Sequence, residues 1–172
     1  MLVHIALAEH GIVLRLATDD DRAFQRALFE TARTDAALLA AWPEAARKPF
    51  LDQQFHFQTA HYARAYPDVD WLIVVADDKP IGRLILARAP EEWCVVDIAL
   101  MPDRRGTGLG TRLLQSVQSA AAQARASTVQ LTVDMHNPAR RLYERLGFAA
   151  VNEAIPNVFM AWPVPNAQLK IA

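Results

Sequence analysis

The chain has 172 residues, of which 52% are hydrophobic and 22% charged, with a formal net charge of −1. That balance excludes a disordered or collagen-like chain, and the near-neutral charge argues against nucleic acid as the main partner. The longest apolar runs, such as Trp71 to Ala76, fall far short of the ~18 residues a membrane span needs.

At about 100–200 residues per domain, the length fits one domain over residues 1–172, with its core at about 12–162 and a tail at 163–172. Met1 to Ala8 is apolar but has no basic start, is interrupted by His4 and is followed at once by Glu9. It is therefore not read as a signal peptide. Cys94 is the only cysteine, so no intrachain disulfide can form and a reducing cytoplasm is the expected location.

Ile12 to Leu16 alternates weakly and predicts a first strand. Thr18 with Asp21 three residues on resembles a capping box, and Phe24, Ala27, Leu28 and Thr31 fall at helical spacing, so a helix is expected over Asp19 to Ala32. Pro43 and Pro49 break the stretch that follows, leaving a helical turn or two at Ala36 to Ala41. Leu51, Phe55, Thr59, Tyr62 and Tyr66 share one stripe, which predicts a second helix from Phe50 to Tyr66.

Trp71 to Ala76, Ile81 to Arg88 and Trp93 to Met101 read as a three-stranded meander, joined at Asp77-Asp78-Lys79-Pro80 and Ala89-Pro90-Glu91-Glu92. Gly108 to Arg125 is an amphipathic helix, and Thr128 to Asp134 alternates as a strand. Pro138 opens a short helix that Gly147 ends, and Phe148 to Val151 with Val158 to Trp162 makes a last hairpin. The order β-α-α-β-β-β-α-β-α-β-β is mixed α/β. Its strand–helix–strand unit from Trp93 to Asp134 should place two strands parallel through a right-handed crossover.

From Met101 to Arg145 there are seven arginines and three acids, which leaves a net −5 for the rest of the chain. Within that basic segment, Arg104-Arg105-Gly106-Thr107-Gly108-Leu109-Gly110-Thr111 joins a strand to a helix. Glycines let backbone N–H groups approach a ligand, and a helix start adds partial positive charge. Paired arginines can grip phosphate oxygens in a fork. Together these point to a pyrophosphate site. A Walker loop is excluded because Gly110 is followed by Thr111-Arg112 with no lysine. A dinucleotide fingerprint has the wrong third glycine spacing, and only Asp134, 24 residues beyond Gly110, supports it.

A third kind of loop fits best. Arg105-x-x-Gly108-x-Gly110, preceded by Val96-Asp97-Ile98-Ala99-Leu100-Met101-Pro102, resembles the acetyl-CoA motif of the GNAT N-acetyltransferase superfamily. Asn137-Pro138-Ala139-Arg140-Arg141-Leu142-Tyr143-Glu144-Arg145-Leu146-Gly147-Phe148 is similar to that family's second segment. The resemblance is specific over about Val95 to Phe148 and follows element order alone from about Ile12 to Trp162.

The resemblance implies a mostly antiparallel sheet of about seven strands, with a splayed parallel pair at its centre and about four flanking helices. Acetyl-CoA would lie in the splay as cosubstrate, with no metal. Backbone groups of Ile98, Ala99 and Leu100 would face its pantetheine arm and thioester. The N–H groups of Arg105, Gly106, Thr107, Gly108, Leu109, Gly110 and Thr111 would hold the pyrophosphate. Asn137 and Ala139 would flank the arm, and Tyr143 would stand near the sulfur as general acid.

Tyr143 also reads as a core residue on a stripe with Ala139 and Leu146. An amine acceptor needs a base, because a lysine-like amine with pKa ~10.4 is almost wholly protonated at neutral pH. Asp97 is the candidate nearest the expected thioester, with Glu92, Asp134 and His136 as others. Some family members carry a glutamate where this chain has Thr132. The activity implied is direct acetyl transfer to a primary amine of a small molecule or peptide. Two alternatives stay open: a non-catalytic CoA-binding module of the same fold, and a dinucleotide-binding oxidoreductase.

Other constellations are weaker. His56 and His61 lie five apart on the expected helix and do not share a face well enough to clasp a metal. Cys94 in a strand reads as a small buried residue. No Gly-x-Ser-x-Gly elbow occurs, which disfavours a serine hydrolase. Trp42, His56, His61, Tyr62 and Tyr66 are candidates to line an acceptor pocket or simply to pack. Neither nucleic acid nor membrane is an expected partner, and a homodimer through the last strands is left open.

Overall fold

The computed structural model describes residues 11–33 and 35–165. Met1 to Ala8 and most of the expected tail lie outside those residues. Strands β1 (Ile12–Leu16), β2 (Val69–Ala76), β3 (Lys79–Arg88), β4 (Glu92–Leu100), β5 (Thr128–Asp134), β6 (Ala149–Ala154) and β7 (Asn157–Pro163) form one sheet in the order β1-β2-β3-β4-β5-β7-β6. The β4–β5 pair at its centre is parallel, and every other neighbouring pair is antiparallel. The helices are α1 (Arg22–Ala32), α2 (Ala36–Ala40), α3 (Glu44–Ala65), α4 (Leu109–Gln123) and α5 (Arg140–Arg145).

Local chemistry accounts for most of these boundaries. A 3-10 turn at Asp19–Asp21 leads into α1, and the capping box forms as expected between Thr18 and Asp21. The Asp21 carboxylate accepts the Thr18 N–H at 2.8 Å and a fork of two 2.6 Å bonds from Arg15. Those Arg15 bonds, opposed in part by burial, hold its carboxyl well below the usual carboxylate range. The β2–β3 hairpin turns on Asp77 (φ 49°) and Asp78 (φ 58°), and aspartate tolerates this left-handed region better than most residues.

The expected break at Pro49 does not occur. Helix α3 begins at Glu44 and runs through Pro49 to Ala65. A proline inside a helix forfeits one N–H bond and costs about 3 kcal/mol relative to alanine. Beyond it, Leu51 and Phe55 are buried in a cluster with Phe29 and Leu39, so packing between α1, α2 and α3 outweighs the local preference.

The main core lies between the sheet and α4–α5. Leu84, Leu86, Val95, Val129, Leu131, Val158 and Met160 of the sheet meet Leu114, Val117 and Ala121 of α4 and Tyr143 near α5's centre. Gln118 donates to the Leu146 carbonyl at 2.9 Å and ties α4 to the end of α5. Helix α1 packs over β3 and β4, and α2 and α3 pack on α1. At Gly82 on β3 the backbones come so close that a Cβ would stand 2.6 Å from Leu100 Cδ2 and 2.8 Å from the Ala99 carbonyl oxygen.

Candidate active site

The parallel ladder between β4 and β5 is short. It pairs Glu92 with Thr128 through Val95 with Leu131 and then stops. On the other side of β4 the register with β3 slips at the same place: Leu86 pairs with Val95 but Ile85 pairs with Asp97, so Val96 is an extra residue. A bulge bends and twists the strand that carries it. From Val96 onward β4 leaves β5, and the edge that β5 covered is open.

A cavity of about 170 Å³ occupies this divergence. Its walls are Val95 to Ile98 of β4, Leu131 to Asp134 of β5, Asn137, Tyr143 and Tyr62 of α3. Asp97 and Asp134 are the only charged side chains among those lining residues. Ala99 is buried and Leu100 half-buried at the open end of β4.

Beyond Leu100 the chain makes a 3-10 turn at Pro102–Arg104 and enters the glycine-rich loop. Gly106 (φ 72°) and Gly108 (φ 84°) both adopt the left-handed region, and Gly108 is the residue immediately before α4. Among the described residues, the backbone N–H groups of Gly106, Thr107, Gly108, Leu109, Gly110 and Thr111 donate to no acceptor of the chain. A run of free N–H groups at the start of a fifteen-residue helix favours an anion.

Arg105 sits differently from its neighbours. Its own N–H donates to the Pro102 carbonyl at 3.3 Å. Its guanidinium bonds the Leu100 carbonyl at 2.9 Å and the Thr31 carbonyl and hydroxyl at 3.0 and 3.3 Å. The side chain thus braces the loop against the end of α1. Arg104 stays near Asp103, with Nε 3.5 Å from a carboxylate oxygen.

Asn137 lines the cavity and also caps the turn before α5, where its Oδ1 accepts the Ala139 N–H at 2.9 Å. Ala139 itself is half-buried against the core. Tyr143 is only 8% exposed and packs edge-on to Phe148 with ring centroids 6.1 Å apart. Its ring belongs to the core cluster, as the stripe with Ala139 and Leu146 predicts, and its residue also borders the cavity. Burial, reinforced by the Asp97 charge, pushes its phenol up to about 12, so it is a protonated donor at neutral pH.

The candidate bases separate. Asp97 and Asp134 border the cavity; Asp134 spends one oxygen on the His136 N–H at 2.8 Å. Glu92 is exposed at the far, paired end of β4, and His136 is exposed outside the cavity. Thr132 lines the cavity with no acid of its own.

Three residues around Asp97 escaped sequence reasoning as a group. Arg83 of β3 is 2% exposed, donates through Nε to Asp97 Oδ2 at 2.9 Å, and brings Nη2 within 2.8 Å of the same oxygen as an ion pair. Nη2 also lies 3.4 Å from Gln58 Oε1 of α3. Tyr62, one turn further along α3, is raised to about 12 chiefly by burial and then by Asp97. The available signal was a lone charge inside the otherwise apolar strand Ile81 to Ala87.

The sequence matches the family model described as "Acetyltransferase (GNAT) family" over residues 31–148. No curated protein matches it. Among solved structures, it resembles PaiA N-acetyltransferase from Thermoplasma acidophilum in complex with coenzyme A, at 15% identity, 88% of this chain, 98% of that one and a TM-score of 0.67. An acetyltransferase from Thermus thermophilus matches at 20% identity, over 93% and 99% of the two chains, with a TM-score of 0.66. Ard1 from Thermoplasma volcanium gives 16% identity, 90% and 98% coverage and a TM-score of 0.63.

Proposed function

Because the chain belongs to the GNAT acetyltransferase family, we propose that it transfers the acetyl group of acetyl-CoA directly to a primary amine of a small molecule or peptide. The observation that carries this reading is the cavity in the β4–β5 divergence, bordered on one side by Asp97 and on another by Tyr143. The run of free N–H groups from Gly106 to Thr111 supports a pyrophosphate at the adjoining end. Ile98, Ala99 and Leu100 lie on the open stretch of β4, where a pantetheine amide would find backbone partners.

In this reading the amine nitrogen attacks the thioester carbonyl, forming the C–N bond and a tetrahedral oxyanion. Backbone donors on β4 offset that charge. The C–S bond then breaks and its electron pair leaves on sulfur, while the nitrogen gives up a proton. Tyr143 donates a hydrogen bond to the departing sulfur. With its phenol near 12 and a thiol at ~8.5, complete transfer from Tyr143 is uphill by about 5 kcal/mol. Its stabilising role is therefore greatest as a donor that follows the charge, with the amine proton replacing any it releases. Asp97 accepts the proton of the incoming ammonium, directly or through water.

Calorimetric titration of the purified protein with acetyl-CoA, with NADH and NADPH in parallel, tests the first half. Saturable acetyl-CoA binding is expected, with none for the nicotinamides. An amine panel, followed by thiol release, tests the second half. Binding without turnover of any amine would favour a non-catalytic CoA-binding module. Nicotinamide binding in place of acetyl-CoA would overturn the reading.

A further inference from the structure

Arginine is among the least common residues in a strand's buried face, and Arg83 is the largest of the fully buried side chains. It lies on β3, diagonal to Asp97 across the β3–β4 pair: Arg83 faces Ala99 and Ile85 faces Asp97. Its Nε hydrogen bond and its Nη2 ion-pair contact both fall on the same carboxylate oxygen, Oδ2. Among the described residues, Asp97 Oδ1 accepts no hydrogen bond, and the Asp97 side chain keeps 20% of its surface exposed while bordering the cavity. The guanidinium is held on its other sides by Gln58 and by the Trp71 ring, 6.0 Å away. Its Nη1 is buried with no partner.

A fork that closed on both carboxylate oxygens would bind more tightly, as paired Arg–carboxylate geometry usually does. Here the arginine takes one oxygen and leaves the other. The carboxylate sits next to the bulge at Val96, where β4 is bent and an unbraced side chain could choose several rotamers. Salt bridging alone is weak evidence for added stability in so buried a place, because removing two charges from water offsets their attraction. The arrangement is better explained by what it does to Asp97.

We propose that Arg83 is a positioning residue for acceptor activation, which clamps Asp97 through Oδ2 so that Oδ1 alone meets the acceptor ammonium in the β4–β5 cavity. The inference rests on the acetyltransferase reading above. Gln58 and Trp71 serve as the frame that fixes the guanidinium plane. The clamp acts on the acceptor half of the reaction and leaves the pyrophosphate loop, on the far side of Leu100, untouched.

The test is a kinetic cycle on the full chain with Arg83→Met, Arg83→Lys, Asp97→Asn and the Arg83→Met/Asp97→Asn double variant. Acetyl-CoA affinity is measured by calorimetry and amine turnover by thiol release. Arg83→Met is expected to lower kcat/KM for the amine about a hundredfold with acetyl-CoA affinity within twofold of wild type. Arg83→Lys, which keeps a cation near Oδ2, should recover about tenfold of that loss. In the Asp97→Asn background the Met change should add less than threefold. Equal losses in both backgrounds, or a loss shared by acetyl-CoA binding, would overturn the positioning role. If Arg83→Met does not fold, Arg83→Lys against Asp97→Asn decides alone, and a fully active Lys variant would overturn the one-oxygen clamp. Wild-type turnover with indifferent Arg83 variants sinks only this inference, whereas wild-type protein that turns over no amine sinks the acetyltransferase reading and this with it.

Discussion

The glycine-rich loop and the β4–β5 cavity are built from different materials. The loop from Gly106 to Thr111 offers backbone N–H groups, donors that every residue carries, presented by two left-handed glycines and a helix start. The cavity offers side chains, with Tyr62 of α3 and Asp97 of β4 in its wall and Arg83 of β3 and Gln58 of α3 behind Asp97. A backbone site tolerates substitution wherever the φ angle permits it. A side-chain site depends on the identity of each member, and its members can be replaced one at a time without moving the chain.

Tyr143→Phe removes only an oxygen and gives the largest expected effect. Loss of one positioned hydrogen-bond donor to the developing charge lowers kcat about 10²–10³-fold, while calorimetric acetyl-CoA affinity stays within a few-fold of wild type. A large fall in affinity instead would mean that loop and cavity are not separable. Gly108→Ala probes the loop. With φ at 84° and no atom within 4 Å of a new Cβ, the cost is conformational, about 1–2 kcal/mol. Acetyl-CoA should bind about tenfold more weakly with kcat at saturation preserved. Unchanged affinity would remove the loop from the binding account.

Arg105→Met tests the brace between the loop and Thr31. Loss of its bonds to carbonyl oxygens should cost about 1–2 kcal/mol of stability in urea melts, with a smaller loss of acetyl-CoA affinity than Gly108→Ala. The smallest effect is on pH. Backbone N–H groups do not titrate, but Asp21 at the start of α1 does, and Arg15 holds it below the usual carboxylate range. A depressed pKa adds stability above the unfolded value, ~3.9, and that stability is lost as pH falls below it. Asp21→Asn should therefore flatten the acid limb of the melting curve below about pH 4 and leave its slope unchanged near neutrality.

The same division explains what was legible beforehand. The glycine loop is contiguous, so its run of open N–H groups and its place before a helix were legible in eight successive letters. Arg83 bonds Asp97 14 residues away and Gln58 25 residues away, and no local spacing announces that meeting. Asp97 could be singled out only by its place beside the motif. Among the elements, periodicity and turn residues carried most strands and the α4 stripe. Pro49 misled because a local penalty of one lost hydrogen bond was set against contacts made by Leu51 and Phe55 that only the folded chain creates. The insertion of β7 between β5 and β6 also has no local signature, since a hairpin pattern does not say which strand docks inward.

Gly82 carries a consequence for how this sequence can drift. Every other amino acid is larger at Cβ, and the space there is closed by both Leu100 Cδ2 and the Ala99 carbonyl oxygen. A second mutation could trim the leucine, and the first obstacle would vanish. The carbonyl belongs to the chain itself and is present whatever residue stands at 99. The genetic code thus offers no compensated route away from glycine that does not first displace β4. That same strand frames the cavity, so leaving glycine would shift a cavity wall together with the β3–β4 ladder.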